Sequence, residues 1–244
     1  MSNIFSGKSE IYASARPTYP KELFDFLFDE GILNENSEAA DIGAGTGIFS
    51  RGLAERIKTV YSVEPDIEML KKGEKTKNIV QICAAAENTG LKDCSVDAVC
   101  AAQAFHWFDA EEFRNECKRI LKKDGYVLLI WNDRDENNGF IKENIRVNKE
   151  FCKNFHGFSN GFDENNGTIE KFFAGNFTKK EFENGFFYGK NDFILRCLSS
   201  SYAPAKEEKT YADYVAALKR IFEKYQKNGN VNYPYITRCY YGQI

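Results

Sequence analysis

The residues whose types and spacing could hold a ligand are the run Asp41-Ile42-Gly43-Ala44-Gly45-Thr46-Gly47 and one acid further along, Glu64. The run lies between an expected strand, Ala39–Ile42, and a helix expected to begin near Ile48. Glycines there allow positive φ and close approach of the backbone to a ligand, and the helix start offers amides that no helical carbonyl takes. Glu64 follows the next expected strand, Thr59–Val63, where a carboxylate can accept hydrogen bonds from both hydroxyls of a ribose. Loop and acid together describe an adenosine site. A plain glycine-rich turn between strand and helix is the alternative reading of the loop alone.

A dinucleotide loop reads G-x-G-x-x-G, its third glycine letting the helix pack closely over a pyrophosphate. Here the spacing is G-x-G-x-G and Ile48 follows, which does not fit. S-adenosylmethionine carries no phosphate and lays its methionine part over such a loop, so the departure favours a methyl donor. An NAD-dependent oxidoreductase is disfavoured by the same spacing. Asp41–Gly47, Glu64, the pair Ala86-Glu87 and the strand after Asp97 resemble the successive motifs of class I S-adenosylmethionine-dependent methyltransferases. Tyr12-x-x-x-Arg16-Pro17-x-Tyr19-Pro20, Gln103-Ala104-Phe105-His106-Trp107-Phe108, Trp131-Asn132-x-Arg134-Asp135 and Leu198-Ser199-Ser200-Ser201-Tyr202 are similar to the small-molecule branch that includes trans-aconitate methyltransferase.

The resemblance implies a Rossmann-like doubly wound sheet, mainly parallel, seven-stranded, with an antiparallel pair at one edge and a C-terminal lid insertion. It implies donor contacts from Tyr12, Arg16, Asp41, Gly43, Ala44, Gly45, Gly47, Glu64, Pro65, Ala86, Glu87 and Gln103. Many members of the class carry an acid two residues before the position of Glu87, at the adenine amino group. Ala85 stands there in this chain, which leaves Glu87 or the backbone around Ala86 for that contact.

Methyl transfer from a sulfonium is an in-line displacement with a donor already activated, so alignment supplies much of the catalysis. Gln103–Trp107 leaves the carboxyl end of the fourth expected strand, the place where open α/β sheets hold ligands. Two roles are open for His106: general base toward a hydroxyl or amine acceptor, or a packed, positioning residue beside Trp107. A carboxylate acceptor needs no base. Arg16 and Arg134 can hold a carboxylate in a two-point fork, and an aromatic face such as Tyr12 suits a sulfonium. Trp107, Arg134 and Tyr202 are the candidates for the acceptor pocket. The chain carries no Pro-Pro-aromatic motif after Asn or Asp and no cysteine after a proline, so base methylation in nucleic acid is disfavoured.

These residues need a framework. Ala39–Ile42, Thr59–Val63, Ile79–Cys83, Ala98–Ala102 and Tyr126–Trp131 read as buried strands alternating with helices, the pattern of a parallel sheet. Pro20 opens a helix that Gly31 closes. Phe113, Cys117, Ile120 and Leu121 fall at helical spacing, with Lys122 to Gly125 as basic last turn and stop. Residues 1–135 are then a donor-binding core with an N-terminal cap, and residues 136–244 a lid with closing edge strands. In that second part a helix is expected at about 140–155, and Thr210 with Asp213 resembles a capping box before a helix striped by Tyr214, Leu218, Ile221 and Phe222. The aromatic run Phe182–Tyr188 and Tyr235–Gly242 read as late strands forming an antiparallel pair.

The whole composition is that of an ordinary globular protein: 244 residues, 43% hydrophobic, with 33 basic and 36 acidic residues. A net charge of -3 gives no electrostatic footprint for nucleic acid or acidic lipid. No apolar run approaches the ~20 residues of a membrane span and the first residues do not read as a secretory signal, so a cytoplasmic location is expected. Seven cysteines, never in C-x-x-C spacing, signal neither a disulfide framework nor a metal site. The partner implied is a small methyl acceptor. A methyltransferase-like protein that binds the donor without turnover is the reading from another class, and the oligomeric state is not legible.

Overall fold

In a computed structural model of the chain, residues 18–73, 76–158 and 166–244 are described, so Tyr12 and Arg16 lie outside the described residues. The short apolar runs form β1 (Glu38–Ile42), β2 (Thr59–Val63), β3 (Ile79–Ile82), β4 (Val96–Ala102) and β5 (Leu121–Arg134). β1 pairs in parallel with β2 and β4, β2 with β3, and β4 with β5. Two later strands, β6 (Thr178–Gly189) and β7 (Asn230–Gly242), complete a seven-stranded sheet of order β3-β2-β1-β4-β5-β7-β6.

The edge strands run against their neighbours. Along β5 and β7, the Gln243 side chain donates to the Asp124 carbonyl, Thr237 donates to Asn132, and the Asp135 amide donates to the Pro234 carbonyl. One number rises as the other falls, which is antiparallel pairing. β7 meets β6 in the same way, with Arg238 on Glu181 and Asn232 against Gly185. The expected doubly wound, mainly parallel sheet with its antiparallel edge is therefore present.

The chain divides into two compact units. The first holds the described residues 18–132, 166–182 and 237–244. Alternate residues of its strands face two cores, because successive side chains of a strand point to opposite faces. Ala39, Val60, Ala98, Leu128 and Ile130 pack with α1 (Lys21–Asp29) and α2 (Ile48–Ala54). Ala40, Ile42, Val99, Val127 and Leu129 pack with α4 (Ala110–Ile120) and α6 (Thr168–Phe173). A further short helix, α3 (Ile67–Lys72), follows β2. α1 begins at Pro20, whose φ of -68 is set by its ring, and ends before Gly31 at +68.

The second unit contains the described residues 133–158 and 183–236. α5 (Gly139–Phe151), α7 (Lys190–Leu198) and α8 (Tyr211–Tyr225) bury Phe140, Phe193, Tyr214, Leu218 and Phe222 together with Tyr233 of β7. Asn144 and Asn148 are polar residues inside it, and both are satisfied: Tyr214 donates to Asn148 at 2.8 Å and Tyr233 to Asn144 at 3.3 Å.

Two local expectations need correction. α4 stops at Ile120, because Leu121 is extended, pairs with Val96 and is buried against the sheet. Lys122 to Gly125 thus belong to β5, and the basic last turn is Lys118 and Arg119. Thr210 caps α8 without any side-chain hydrogen bond. Its backbone is already helical, at φ -79 and ψ -12, whereas a capping side chain reaches the first amides from an extended backbone. No helix among the described residues is long and apolar enough to cross a membrane.

Glu116 ties α4 to the loop before β4. Only 6% exposed, it accepts hydrogen bonds from the Thr89 amide at 2.8 Å and hydroxyl at 2.6 Å and pairs with Arg119. Burial pushes its carboxyl up, but Arg119 and Thr89 outweigh that and hold it below the ordinary 4.5. Such a carboxyl stabilises the fold when ionised, so the contribution is present at neutral pH and lost on acidification. Glu116→Ala is expected to cost about 3 kcal/mol in urea unfolding at pH 7, with the gap to the parent protein shrinking as the pH is lowered below 4.5.

Candidate active site

β1 is buried along its length from Ala39, and the chain must leave its end and enter α2 within five residues. It does so through three left-handed glycines, Gly43, Gly45 and Gly47, with φ of +69, +59 and +75. Gly43 and Ala44 both donate their amides to the carbonyl of Val63, at 2.8 and 3.1 Å. Gly43 is needed for space as well as for φ, since a Cβ there would stand 2.5 Å from Ala104 Cβ and 3.0 Å from the Phe108 ring. Gly45 differs: a Cβ would meet nothing nearer than Met69 at 3.9 Å. The face of the loop at Gly45 therefore has room for a ligand.

Glu64 follows β2 and is 8% exposed. Its two carboxylate oxygens are braced by amides, Gly45 at 2.9 Å on Oε2 and Asp66 at 3.1 Å on Oε1. Each oxygen can accept more than one hydrogen bond, so the bracing leaves acceptor capacity for hydroxyls. Pro65 comes next in the chain, and its carbonyl accepts from the exposed Cys83 thiol at 3.5 Å. Asp66 in turn caps α3, accepting from the Glu68 and Met69 amides.

Asp41, the last acid before the turn, lies inside the sheet at 1% exposure. Ser50 of α2 donates to its Oδ2 at 2.5 Å, while the buried Oδ1 makes no hydrogen bond among the described residues. Burial pushes its carboxyl up to about 7, against the Ser50 hydrogen bonds, and the Glu64 carboxylate adds to the rise.

Ala86 is buried, and Glu87 accepts from the Asp109 amide at 3.0 Å, so its carboxylate reaches the start of α4. Gln103 has φ of +58 and is bound to β5 twice, its amide to Ile130 at 2.8 Å and its side chain to the Asn132 carbonyl at 3.0 Å. A 3-10 turn, Phe105–Trp107, carries His106 between two indoles. Trp131, buried, donates its N–H to His106 Nδ1 at 3.4 Å, and the Trp107 ring, 75% exposed, lies 4.9 Å from the imidazole.

All the expected donor residues within the described chain, with His106 and Trp107, thus fall in the first unit. Arg134 and Tyr202 fall in the second. Arg134 donates to the Tyr233 hydroxyl at 3.3 Å and stacks on Phe158 at 4.0 Å, and the Tyr202 ring meets Phe155 at 4.9 Å. Residues that the sequence reading passed over are Ser50, Asp66 and Met69 around the loop and Arg196, Tyr233 and Tyr235 around Arg134. Asp66 carried a signal, an acid two residues before an apolar helical run. The others are ordinary members of helices or strands whose neighbours come from distant sequence.

Residues 40–129 match the family model described as methyltransferase domain. This segment is a methyltransferase domain. It contains the end of β1, all of β2 to β4, the glycine loop, Glu64 and His106. The chain is 36% identical over 149 residues to a methyltransferase-like protein of Schizosaccharomyces pombe, covering 60% of this chain and 58% of that one. It is 38% identical over 144 residues to a methyltransferase of Mycobacterium tuberculosis, covering 59% and 58%. The chain thus spans a little over half the length of the curated relatives it matches. The structure of a type II methyltransferase from Anaeromyxobacter dehalogenans shares the fold, with a TM-score of 0.70, 20% identity and coverage of 93% of this chain and 97% of that one.

The buried acid makes a pH prediction. Asp41 binds its proton more tightly in the folded domain than in the unfolded chain, where its ordinary value is 3.8. Its ionisation therefore withdraws stability as the pH rises from about 4 to about 7. Asp41→Asn removes this titration and is expected to gain on the parent protein across that interval by up to about 4 kcal/mol. Denaturant unfolding of both proteins at pH 5 and pH 8 measures it, and an equal difference at the two pH values contradicts it.

Proposed function

We propose that the chain transfers a methyl group from S-adenosylmethionine to a small-molecule acceptor that bears a carboxylate. The observation that carries the donor is the pairing of loop and acid: three glycines at positive φ, open space at Gly45, and Glu64 braced beside them at the end of β2. This fits adenosine joined through a linkage without phosphate better than a pyrophosphate, for the helix after Gly47 starts with Ile48 and not a third dinucleotide glycine. S-adenosylmethionine, when bound, supplies an activated methyl group on sulfur. In this reading Glu64 accepts from the ribose hydroxyls, the Gly43–Gly47 backbone faces the methionine part, and Pro65, Ala86 and Glu87 lie toward the adenine. Gln103 keeps the exit of β4 in place through its two bonds to β5. Tyr12 and Arg16 remain candidates for the donor's outer side.

The acceptor class is supported by His106 and Arg134. Because the Trp131 N–H points at Nδ1, a neutral His106 ring carries its own proton on Nε2. A donor positions an ionised carboxylate, whereas abstracting a proton needs a bare nitrogen in that place. A carboxylate is already an anion at neutral pH, so its methylation calls for alignment and exclusion of water. Arg134 offers the two-point fork that a carboxylate accepts, with Tyr202 lining the same cavity, and Trp107 stands as a separate candidate in the first unit.

Calorimetry with S-adenosylhomocysteine and with NAD tests the donor. The first is expected to bind and the second not, and Glu64→Ala should weaken binding by about 1–3 kcal/mol. Unchanged affinity in a folded Glu64→Ala protein removes Glu64 from the site. A radiolabelled methyl-transfer assay over small organic acids tests turnover, and donor binding without any transfer leaves a binding protein. With an acceptor in hand, His106→Gln is expected to retain more activity than His106→Ala, and neither to show the ~10²–10⁴-fold loss that follows removal of a general base. A loss of that size in both, with donor affinity intact, points instead to a hydroxyl or amine acceptor.

A further inference from the structure

The second unit holds a cavity of about 290 Å³ that is open to solvent and lined by none of the residues discussed for methyl transfer. Its wall comes from three separate segments: the start of α5, the end of β6, and the turn between α8 and β7. From β6 comes Phe187, 72% exposed, whose ring meets no other ring and no cation among the described residues. Gly185 and Gly189 lie two positions to either side of it, on the same face of the strand. A Cβ at Gly185 would stand 2.8 Å from the Asn232 carboxamide, and one at Gly189 would stand 4.0 Å from that of Asn230. The Phe187 ring thus has no side chain of its own strand beside it on that face. Tyr225 and the buried Phe140, edge-on at 5.5 Å, add two further rings to the wall.

The polar part of the wall is held in place by the backbone. Lys227 and Asn230 exchange both main-chain hydrogen bonds, at 2.8 and 3.1 Å, across the turn Asn228-Gly229, whose φ values of +52 and +80 are those of a tight hairpin. Their side chains leave the same face, and Asn232, two residues on, shares it. Asn138 gives its Oδ1 to the Phe140 amide at 2.9 Å, which leaves its Nδ2 free to donate. The Asn232 carboxamide has no hydrogen-bond partner among the described residues. No acid is among the residues that line the cavity. Nearby, Glu143 and Glu223 are taken by Lys224 and Lys190, each at 2.6 Å, and Asp192, close to Gly189, forms no ion pair with Lys227.

An isolated aromatic face suits a flat ring laid upon it, since stacking on an aromatic side chain needs only a π-face. Carboxamides present a donor and an acceptor together, which matches the edge of a heterocyclic base. An unpaired ammonium at the rim adds one anionic group to the ligand. The volume is at the lower end of the ~300–1,000 Å³ of small-molecule pockets, room for one nucleoside and not for a dinucleotide. We infer that this cavity binds a free purine nucleoside monophosphate, its base on Phe187 with its edge toward the asparagines, and its phosphate at Lys227. The site does not rest on the function proposed above, because the two share no residue.

Calorimetry on the full chain, with S-adenosylhomocysteine saturating, compares adenosine and guanosine monophosphates with adenosine, ribose 5-phosphate, cytidine monophosphate and a short oligoadenylate. At least one purine monophosphate is expected to bind about tenfold or more tightly than adenosine and ribose 5-phosphate, and more tightly than cytidine monophosphate. Phe187→Leu keeps an apolar side chain but no flat face, and should bring the nucleotide down to the level of ribose 5-phosphate, whereas Phe187→Tyr should preserve its advantage. Lys227→Gln should bring it down to the level of adenosine. Equal urea midpoints show that the variants are folded, and Lys227→Gln, at an exposed position, carries the test if Phe187→Leu is not. Glu64→Ala should leave the nucleotide affinity unchanged, which separates this site from the proposed donor site. Absence of purine nucleotide binding, equal binding of adenosine, ribose 5-phosphate or cytidine monophosphate, tighter binding of the oligoadenylate, a preference kept in both Phe187→Leu and Lys227→Gln, or one lost in Glu64→Ala each overturns the assignment.

Discussion

Two amides converging on one carbonyl set the geometry on which the first unit depends. Gly43 and Ala44 both end on Val63 O, so the turn that leaves β1 is fastened to the end of β2 before α2 begins. The fastening forces φ positive at Gly43 and brings its Cα face against Ala104, beyond the end of β4. Three strand ends are thereby drawn to one point, and the side chains that follow them inherit their places: Glu64 after β2, and Gln103 to Trp107 after β4. Glu64 then closes the arrangement by taking the Gly45 amide. A loop so held needs little reorganisation when a ligand arrives, which is where pre-set binding gains its affinity.

Polar groups in the two units are treated differently. In the first, an acid sits within the sheet and is tolerated by taking up a proton, with Ser50 as its hydrogen-bond partner. In the second, the interior amides of Asn144 and Asn148 are matched by tyrosine hydroxyls, and Arg134 and Arg196 both stand against the Tyr235 ring. Buried amides paired in this way cost little.

How far the sequence disclosed this depends on how local each signal was. The strands were legible because Val, Ile and Ala fill both faces of β1, β2 and β4, and the loop because glycines at that spacing have few other uses. α7 was missed because Phe193, Ile194 and Cys197 form too short a stripe beside an aromatic strand, and α6 because it has under two turns. Thr210 and Asp213 show the limit of a capping pattern, since a helical backbone at Thr210 takes its side chain out of reach. Lys122 to Gly125 read as a helix end because charge and glycine mark one, but pairing of Leu121 with Val96 decides otherwise. Arg196 was invisible for a different reason. Its significance comes from Tyr233 and Tyr235, almost forty positions later, and only the fold brings the three together.

The tyrosines and phenylalanines number 34 in this chain, but there are only two tryptophans, and both adjoin one imidazole. Trp131 is held in the apolar interior with its N–H on Nδ1, while Trp107 stands in water against the ring face. Their fluorescence is therefore separable by colour: the buried indole emits to the blue and the exposed one to the red. Because His106 touches both, a change of its charge or a molecule laid over Trp107 alters the balance of the two bands without any label, and iodide in solution silences the outer one alone. The protein carries its own two-colour reporter on the surface where the chemistry is proposed to occur.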